Sequence, residues 1–146
     1  MTLRTSSPEE TRAFGARLAE KLLPGDVLIL RGDMGAGKSE LTRGIARGLG
    51  VPGYITSPTF TILQVHEGGR LPLYHFDWYR IEDPEELYEL SMDEYLHMAG
   101  VSVVEWAERA PEAVPDDYLE ITLTPLSDEE REITLRSAGA FRGIEA

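Results

Sequence analysis

Apolar and polar positions along this chain switch between a helical and a strand period, and the switches mark its elements. Ser7-Pro8-Glu9-Glu10 supplies a hydroxyl N-cap, a proline at the first helical position and a glutamate at N3, the makings of a capping box. Phe14, Leu18 and Leu22 follow at i, i+4 spacing, and Pro24-Gly25 closes the segment. Asp26-Val27-Leu28-Ile29-Leu30-Arg31 is a continuous apolar run of strand length, as expected of a parallel strand covered on both faces. After a glycine-rich break, Lys38 to Leu49 reads as a helix stopped by Gly50 and Pro52.

Downstream, residues 61–66 and 71–76 read as two strands of a hairpin joined by Glu67-Gly68-Gly69-Arg70. Asp83-Pro84-Glu85-Glu86 repeats the N-cap chemistry and predicts a helix through Leu87 and Leu90. Tyr88, Leu90, Met92 and Tyr95 read as core-facing positions there. Val101-Ser102-Val103-Val104 is a further buried strand. Residues 118–123 and 132–136 alternate cleanly around Ser127-Asp128-Glu129-Glu130, which predicts a half-exposed antiparallel pair at the sheet edge. With no internal repeat or linker, residues 1–146 read as one α/β domain. Its expected sheet is mixed and mostly parallel, with flanking helices and an antiparallel edge.

The break between strand and helix carries the strongest chemistry. Gly32-Asp33-Met34-Gly35-Ala36-Gly37-Lys38-Ser39 fits G-x-x-x-x-G-K-[ST], a P-loop. Glycines let the backbone curl so that successive N–H groups face phosphate oxygens, and the following helix adds the positive end of its dipole. Lys38 would reach the β- and γ-phosphates of ATP and the Ser39 hydroxyl would meet Mg2+. A chance glycine-rich turn is the competing account, but here the motif follows a strand and opens a helix, as it must. Two acids complete the picture. Asp77 and Glu105 each stand directly after an apolar strand, the pattern of a Walker B carboxylate. For either acid alone a solvated strand end is the plainer account, and the spacing leaves open which of them meets the metal directly.

Composition narrows the class. A formal net charge of −12 and a pI near 4.6 oppose a large unaided footprint on nucleic acid or anionic membrane. Yet 42% hydrophobic residues and a mean hydropathy of −0.24 are ordinary for a folded domain. The absence of cysteine removes disulfides, thiol nucleophiles and Cys-built zinc sites. Neither a signal-peptide pattern nor a long apolar run stands out, so a cytoplasmic, membrane-free protein is expected. His66, His75 and His97 show no metal-ligand spacing and read as structural. Trp78 and Tyr79 read as packing, and Arg80 as a partner for Asp77 or a phosphate sensor.

Five segments in this order resemble the bacterial TsaE (YjeE) family, small P-loop ATPases needed for threonylcarbamoyladenosine modification of tRNA. They are Ser7-Pro8-Glu9-Glu10-Thr11, the loop 32–39, Ser57-Pro58-Thr59-Phe60, His75-Phe76-Asp77-Trp78-Tyr79-Arg80 and Glu105-Trp106-Ala107-Glu108. The resemblance implies that Lys38 binds phosphate, that Ser39 and Glu105 hold Mg2+ with Asp77 nearby, and that Ser57 and Thr59 lie on a nucleotide-sensing loop. It also implies that Thr11 approaches the nucleotide. Trp106 is either a core aromatic or a neighbour of the nucleotide. TsaD and TsaB, the threonylcarbamoyl transferase assembly, are the implied partners, and no direct tRNA contact is expected. Two positions depart from the family pattern: Ser39 stands where Thr is usual, and Glu40 puts a carboxylate close to the phosphates. Beside this ATPase reading stand a small P-loop kinase and a nucleotide-dependent binding module, although the acidic stretch between Asp77 and Glu105 offers no arginine cluster for a kinase lid.

Overall fold

The computed structural model describes residues 1–33, 35–52, 63–79, 81–82 and 99–144. Among these residues seven strands form one sheet: β1 (Thr2–Thr5), β2 (Val27–Arg31), β3 (Leu63–His66), β4 (Leu73–Asp77), β5 (Val101–Glu105), β6 (Tyr118–Pro125) and β7 (Arg131–Ala138). Among the described residues two α-helices, α1 (Pro8–Ala19) and α2 (Lys38–Leu49), accompany it. The order across the sheet is β1-β7-β6-β2-β5-β4-β3. The inner pairings, β6 with β2, β2 with β5 and β5 with β4, are parallel, and the outer pairings on both flanks are antiparallel.

The sheet separates two apolar layers. Leu28, Leu30, Leu73, Val101, Val103, Leu119 and Ile121 face α1 and α2 and pack on Phe14, Leu18, Leu41 and Ile45. Val27, Ile29, Tyr74, Phe76 and Val104 face the other way, with Trp78 and Ile81. This two-sided burial is why β2 reads as an unbroken apolar run. The two helices cross backbone to backbone: a Cβ on Gly44 would lie 2.1 Å from the Arg12 carbonyl oxygen, and one on Gly48 2.4 Å from that of Ala16.

Local signals resolve much as expected. The Ser7 Oγ caps α1 by accepting from the Glu10 N–H at 3.2 Å, although Glu10 reaches back to the Ser6 N–H instead of that of Ser7. Helix α1 ends at Ala19, before the Pro24-Gly25 stop. Helix α2 spans 38–49 as predicted, and Gly50 terminates it at φ 79°. The alternating pair β6–β7 is not the sheet edge: β6 pairs with β2, and β7 is covered by β1, a short strand the sequence pattern did not announce. The predicted helix opening at Asp83, with Tyr88, Leu90, Met92, Tyr95 and His97, lies outside the described residues. Among the described residues, no helix is long and apolar enough to cross a membrane.

Candidate functional site

Strand register gathers the site at one end of the sheet. Leu30 near the end of β2 is level with Glu105 at the end of β5, and Glu105 is level with Asp77 at the end of β4. The period of two places His75 and Asp77 on one face of β4, and Val103 and Glu105 on the matching face of β5. That is the α2 face, since Leu73, Val101 and Val103 pack there. The loop leaving β2 turns over the same edge, and its last residue before α2, Gly37, takes φ 102°. A side chain at Gly32 would meet the Leu123 carbonyl oxygen at 2.9 Å, so the first loop position also needs glycine on space alone.

Lys38, the first residue of α2, is buried with its ammonium 4.0 Å from Glu105 Oε1 and 4.2 Å above the Trp106 ring. The other Glu105 oxygen, Oε2, lies 2.6 Å from His75 Nε2, and both side chains are buried. His75 Nδ1 has no hydrogen-bond partner among the described residues. The predicted Lys38, Glu105 and Trp106 therefore meet, joined by a histidine the sequence pattern had consigned to structure. The signal was present: His75 and Asp77 are two apart on a strand and so share a face.

Trp106 is half-buried and holds the left-handed conformation at φ 61°, unusual outside glycine. That conformation turns the chain from β5 into a short 3-10 turn, Ala107–Arg109, and lays the indole between Lys38 and Tyr79, whose ring is 4.8 Å away. Tyr79 is more open than packing alone would leave it, with Arg109 stacked over its ring. Trp78 is fully buried, as expected.

Asp77 accepts a hydrogen bond from the Tyr79 N–H at 2.9 Å. Burial raises its carboxyl above the ordinary aspartate range; the Tyr79 bond opposes this and the like charge of Glu105 adds to it. Two carboxylates, one of them reluctant to ionise, thus end neighbouring strands, and Ser39 is the second residue of α2. Among the described residues no group of three or more His, Asp or Glu side chains gathers in metal-binding array. Asp77, Glu105 and Ser39 are oxygen-bearing side chains of the kind Mg2+ takes.

The remaining predicted residues divide. Asp33 and Gly35 are exposed, Ala36 is buried, and Gly32, Gly37 and Ser39 are intermediate. Glu40 is bonded to Arg12 and Arg43, which neutralise the charge that threatened the phosphate site. Thr11 is buried with its hydroxyl 2.7 Å from that of Thr5 on β1. Met34, Ser57, Thr59 and Arg80 lie outside the described residues. Unforeseen from sequence, Arg131 at the start of β7 donates to the Ala36 and Gly35 carbonyl oxygens at 2.9 and 3.1 Å.

Against known proteins, the family profile described as Threonylcarbamoyl adenosine biosynthesis protein TsaE matches residues 5–133. The chain belongs to the TsaE family. Its similarity to individual members is spread along the whole fold. The tRNA threonylcarbamoyladenosine biosynthesis protein TsaE of Bacillus subtilis is 48% identical over 136 residues, 93% of this chain and 85% of that protein. The Treponema pallidum protein of the same name is 40% identical over 129 residues, 88% and 95% of the two chains. The crystal structure of Bacillus subtilis YdiB superposes with a TM-score of 0.80 at 45% identity, covering 95% of this chain and 86% of that one. TsaE proteins take part in threonylcarbamoyladenosine biosynthesis, and the mixed α/β sheet is that of the family.

Proposed function

We propose that this protein is a Mg2+-dependent ATPase and an accessory component of the tRNA N6-threonylcarbamoyladenosine machinery in the cytoplasm, turning over ATP slowly until TsaD- and TsaB-type partners engage it. The observation that carries the reading is the convergence of Lys38, Glu105 and Trp106 beside a glycine-built loop at the carboxyl end of the parallel strands. Loop N–H groups and the α2 terminus receive the phosphates, and the Lys38 ammonium exchanges Glu105 and the indole for phosphate oxygen. When bound, Mg2+ would supply charge neutralisation at the nucleotide's phosphates, and Ser39, Asp77 and Glu105 would hold it, directly or through water. Release of Glu105 from Lys38 frees one carboxylate oxygen for that task, while His75 keeps the other oriented.

Slow basal turnover accords with the same geometry. Arg131, whose guanidinium lies against the loop, is engaged with main-chain carbonyl oxygens. A charge of −12 accords with docking on partners that themselves hold the tRNA. The test is ATP hydrolysis by the purified chain with Mg2+, alone and with TsaD- and TsaB-type proteins. Acceleration by the partners, lost in Lys38→Ala, is expected. Absence of ATP binding, or phosphate transfer to a nucleoside or sugar in place of water, would overturn the reading. Isolated protein is expected to show no appreciable tRNA affinity at physiological salt, and its association with the partners to weaken as salt rises.

A further inference from the structure

We infer that Arg131 is a positioning residue for phosphate binding, clamping the carbonyl side of the P-loop so that the loop is curled and the Gly37 N–H aimed away from the clamp before any nucleotide arrives. The inference rests on the nucleotide-binding reading above and concerns a residue outside the P-loop sequence. Among the described residues four hydrogen bonds leave this guanidinium, and all go to main-chain carbonyl oxygens. Nε donates to Ala36 at 2.9 Å and Nη2 to Gly35 at 3.1 Å; Nη1 donates to Ser127 at 2.8 Å and Glu130 at 2.9 Å. One side chain therefore ties the loop to the β6–β7 turn, about 95 residues away in sequence.

A trans peptide carries its C=O and N–H on opposite sides, and no peptide among those described is cis. Holding the Ala36 oxygen on Arg131 therefore aims the Gly37 N–H away from Arg131. The neighbouring peptide is fixed at both ends: the Gly35 oxygen sits on Arg131 and the Ala36 N–H on the Asp33 oxygen at 3.0 Å. Glycine supplies the freedom to adopt this curl, with φ 81° at Gly35 and 102° at Gly37, but the same freedom makes the unclamped loop costly to order. A cation on the carbonyl oxygens also polarises those peptides and strengthens their N–H groups as donors. Arginine suits the task because its planar fork serves two turns at once, whereas a lysine ammonium is a single point.

The turn on the other side is itself firm. Ser127 Oγ accepts from the Glu130 N–H at 3.2 Å, and Leu126 N–H donates to the Glu130 oxygen at 2.9 Å. Arg131 is held in turn by strand pairing, level with Thr5 on β1 and Pro125 on β6. The clamp thus reaches the loop from the antiparallel flank of the sheet, opposite the carboxylates.

The experiment compares Arg131→Ala, Arg131→Lys and, as a control on the same strand, Arg136→Ala, whose partner is Glu120. Amide hydrogen exchange at residues 35–38 of the nucleotide-free full chain is expected to quicken about tenfold in both Arg131 variants and not in the control. ADP and ATP-analogue dissociation constants are expected to rise about tenfold for each Arg131 variant, with AMP affected less because it places fewer phosphates in the loop. In turnover, KM is expected to rise while kcat stays within about twofold, the pattern of lost binding and not lost chemistry. Arg131→Lys keeps length and charge, so it guards against an alanine variant that fails to fold. Wild-type exchange and wild-type affinity in Arg131→Lys would overturn the inference. If the wild-type chain binds no nucleotide, the functional reading falls instead, and the exchange measurement still decides whether the clamp exists.

Discussion

The two halves of the site lie at the same end of the sheet but are held by different means. The phosphate loop is a main-chain device: glycines at positive φ, a helix terminus, and a guanidinium on its carbonyl oxygens. The carboxylate half, on β4 and β5, is a side-chain device: the buried His75, Glu105 and Lys38 and the half-buried Trp106 form one chain of contacts, with Asp77 beside it. Main-chain devices fail when a conformation is forbidden. Side-chain devices fail when a buried charge loses its partner, which costs more than the pair gains because the survivor stays desolvated. Lys38 belongs to both halves, and it is the side chain through which occupancy of the loop would be felt at the carboxylates.

Breaking the shared residue should therefore have the largest effect. Lys38→Ala removes the cation proposed to meet the phosphates and takes the nearby ammonium from Glu105, so nucleotide affinity is expected to fall by at least about a hundredfold, read by calorimetry. Glu105→Gln should separate the halves: nucleotide binding survives, and turnover drops by about 10²–10³, read by phosphate release.

A packing lesion behind the loop should act differently. Gly44→Val drives a side chain into the Arg12 main chain where α1 and α2 cross. The expected loss is roughly 1–3 kcal/mol or more in chemical unfolding, with the order of nucleotide affinities retained in the folded fraction. His75→Ala should cost about 1–3 kcal/mol by leaving the Glu105 carboxylate buried with one bond fewer. It should also raise the Mg2+ concentration needed for half-maximal turnover, which Gly44→Val should not.

The smallest effect expected is that of pH on the nucleotide-free protein through Asp77. Its folded carboxyl binds a proton more tightly than the unfolded one, because burial disfavours the charge. Its contribution to stability is thus fully present below the ordinary aspartate range and is lost as pH rises through the raised folded value. Asp77→Asn is spared that loss, so the variant's melting temperature should gain on the wild type across this window and level off above it. No gain would mean that the Tyr79 N–H and Lys38 already compensate the charge.

What could be read in advance follows the same division. The loop 32–39 and helix α2 were legible because the conformation depends on local residues: glycines at fixed offsets, then a helical period closed by Gly50. Register brought Asp77 and Glu105 level, and two acids after apolar strands announced it. The histidine on Glu105 was missed because its spacing from Asp77 marks a shared face but not a partner 30 residues away, and Arg131 because its loop partners lie about 95 residues away. Strand β1 was missed because Thr2-Leu3-Arg4-Thr5 is too short and polar to show a period, and it forms only by pairing with β7. Glu40, suspect when read alone, is neutralised by Arg12 from another helix.

The central claim is that loop and carboxylates form one Mg2+-nucleotide site, joined through Lys38. Calorimetric titration of the full chain with a non-hydrolysable ATP analogue, with and without Mg2+, tests it most directly. The account predicts saturable one-to-one binding that Mg2+ tightens in the wild type, that Glu105→Gln retains with a weaker Mg2+ dependence, and that Lys38→Ala abolishes. Binding unaffected by Mg2+, or undiminished in Lys38→Ala, would contradict it.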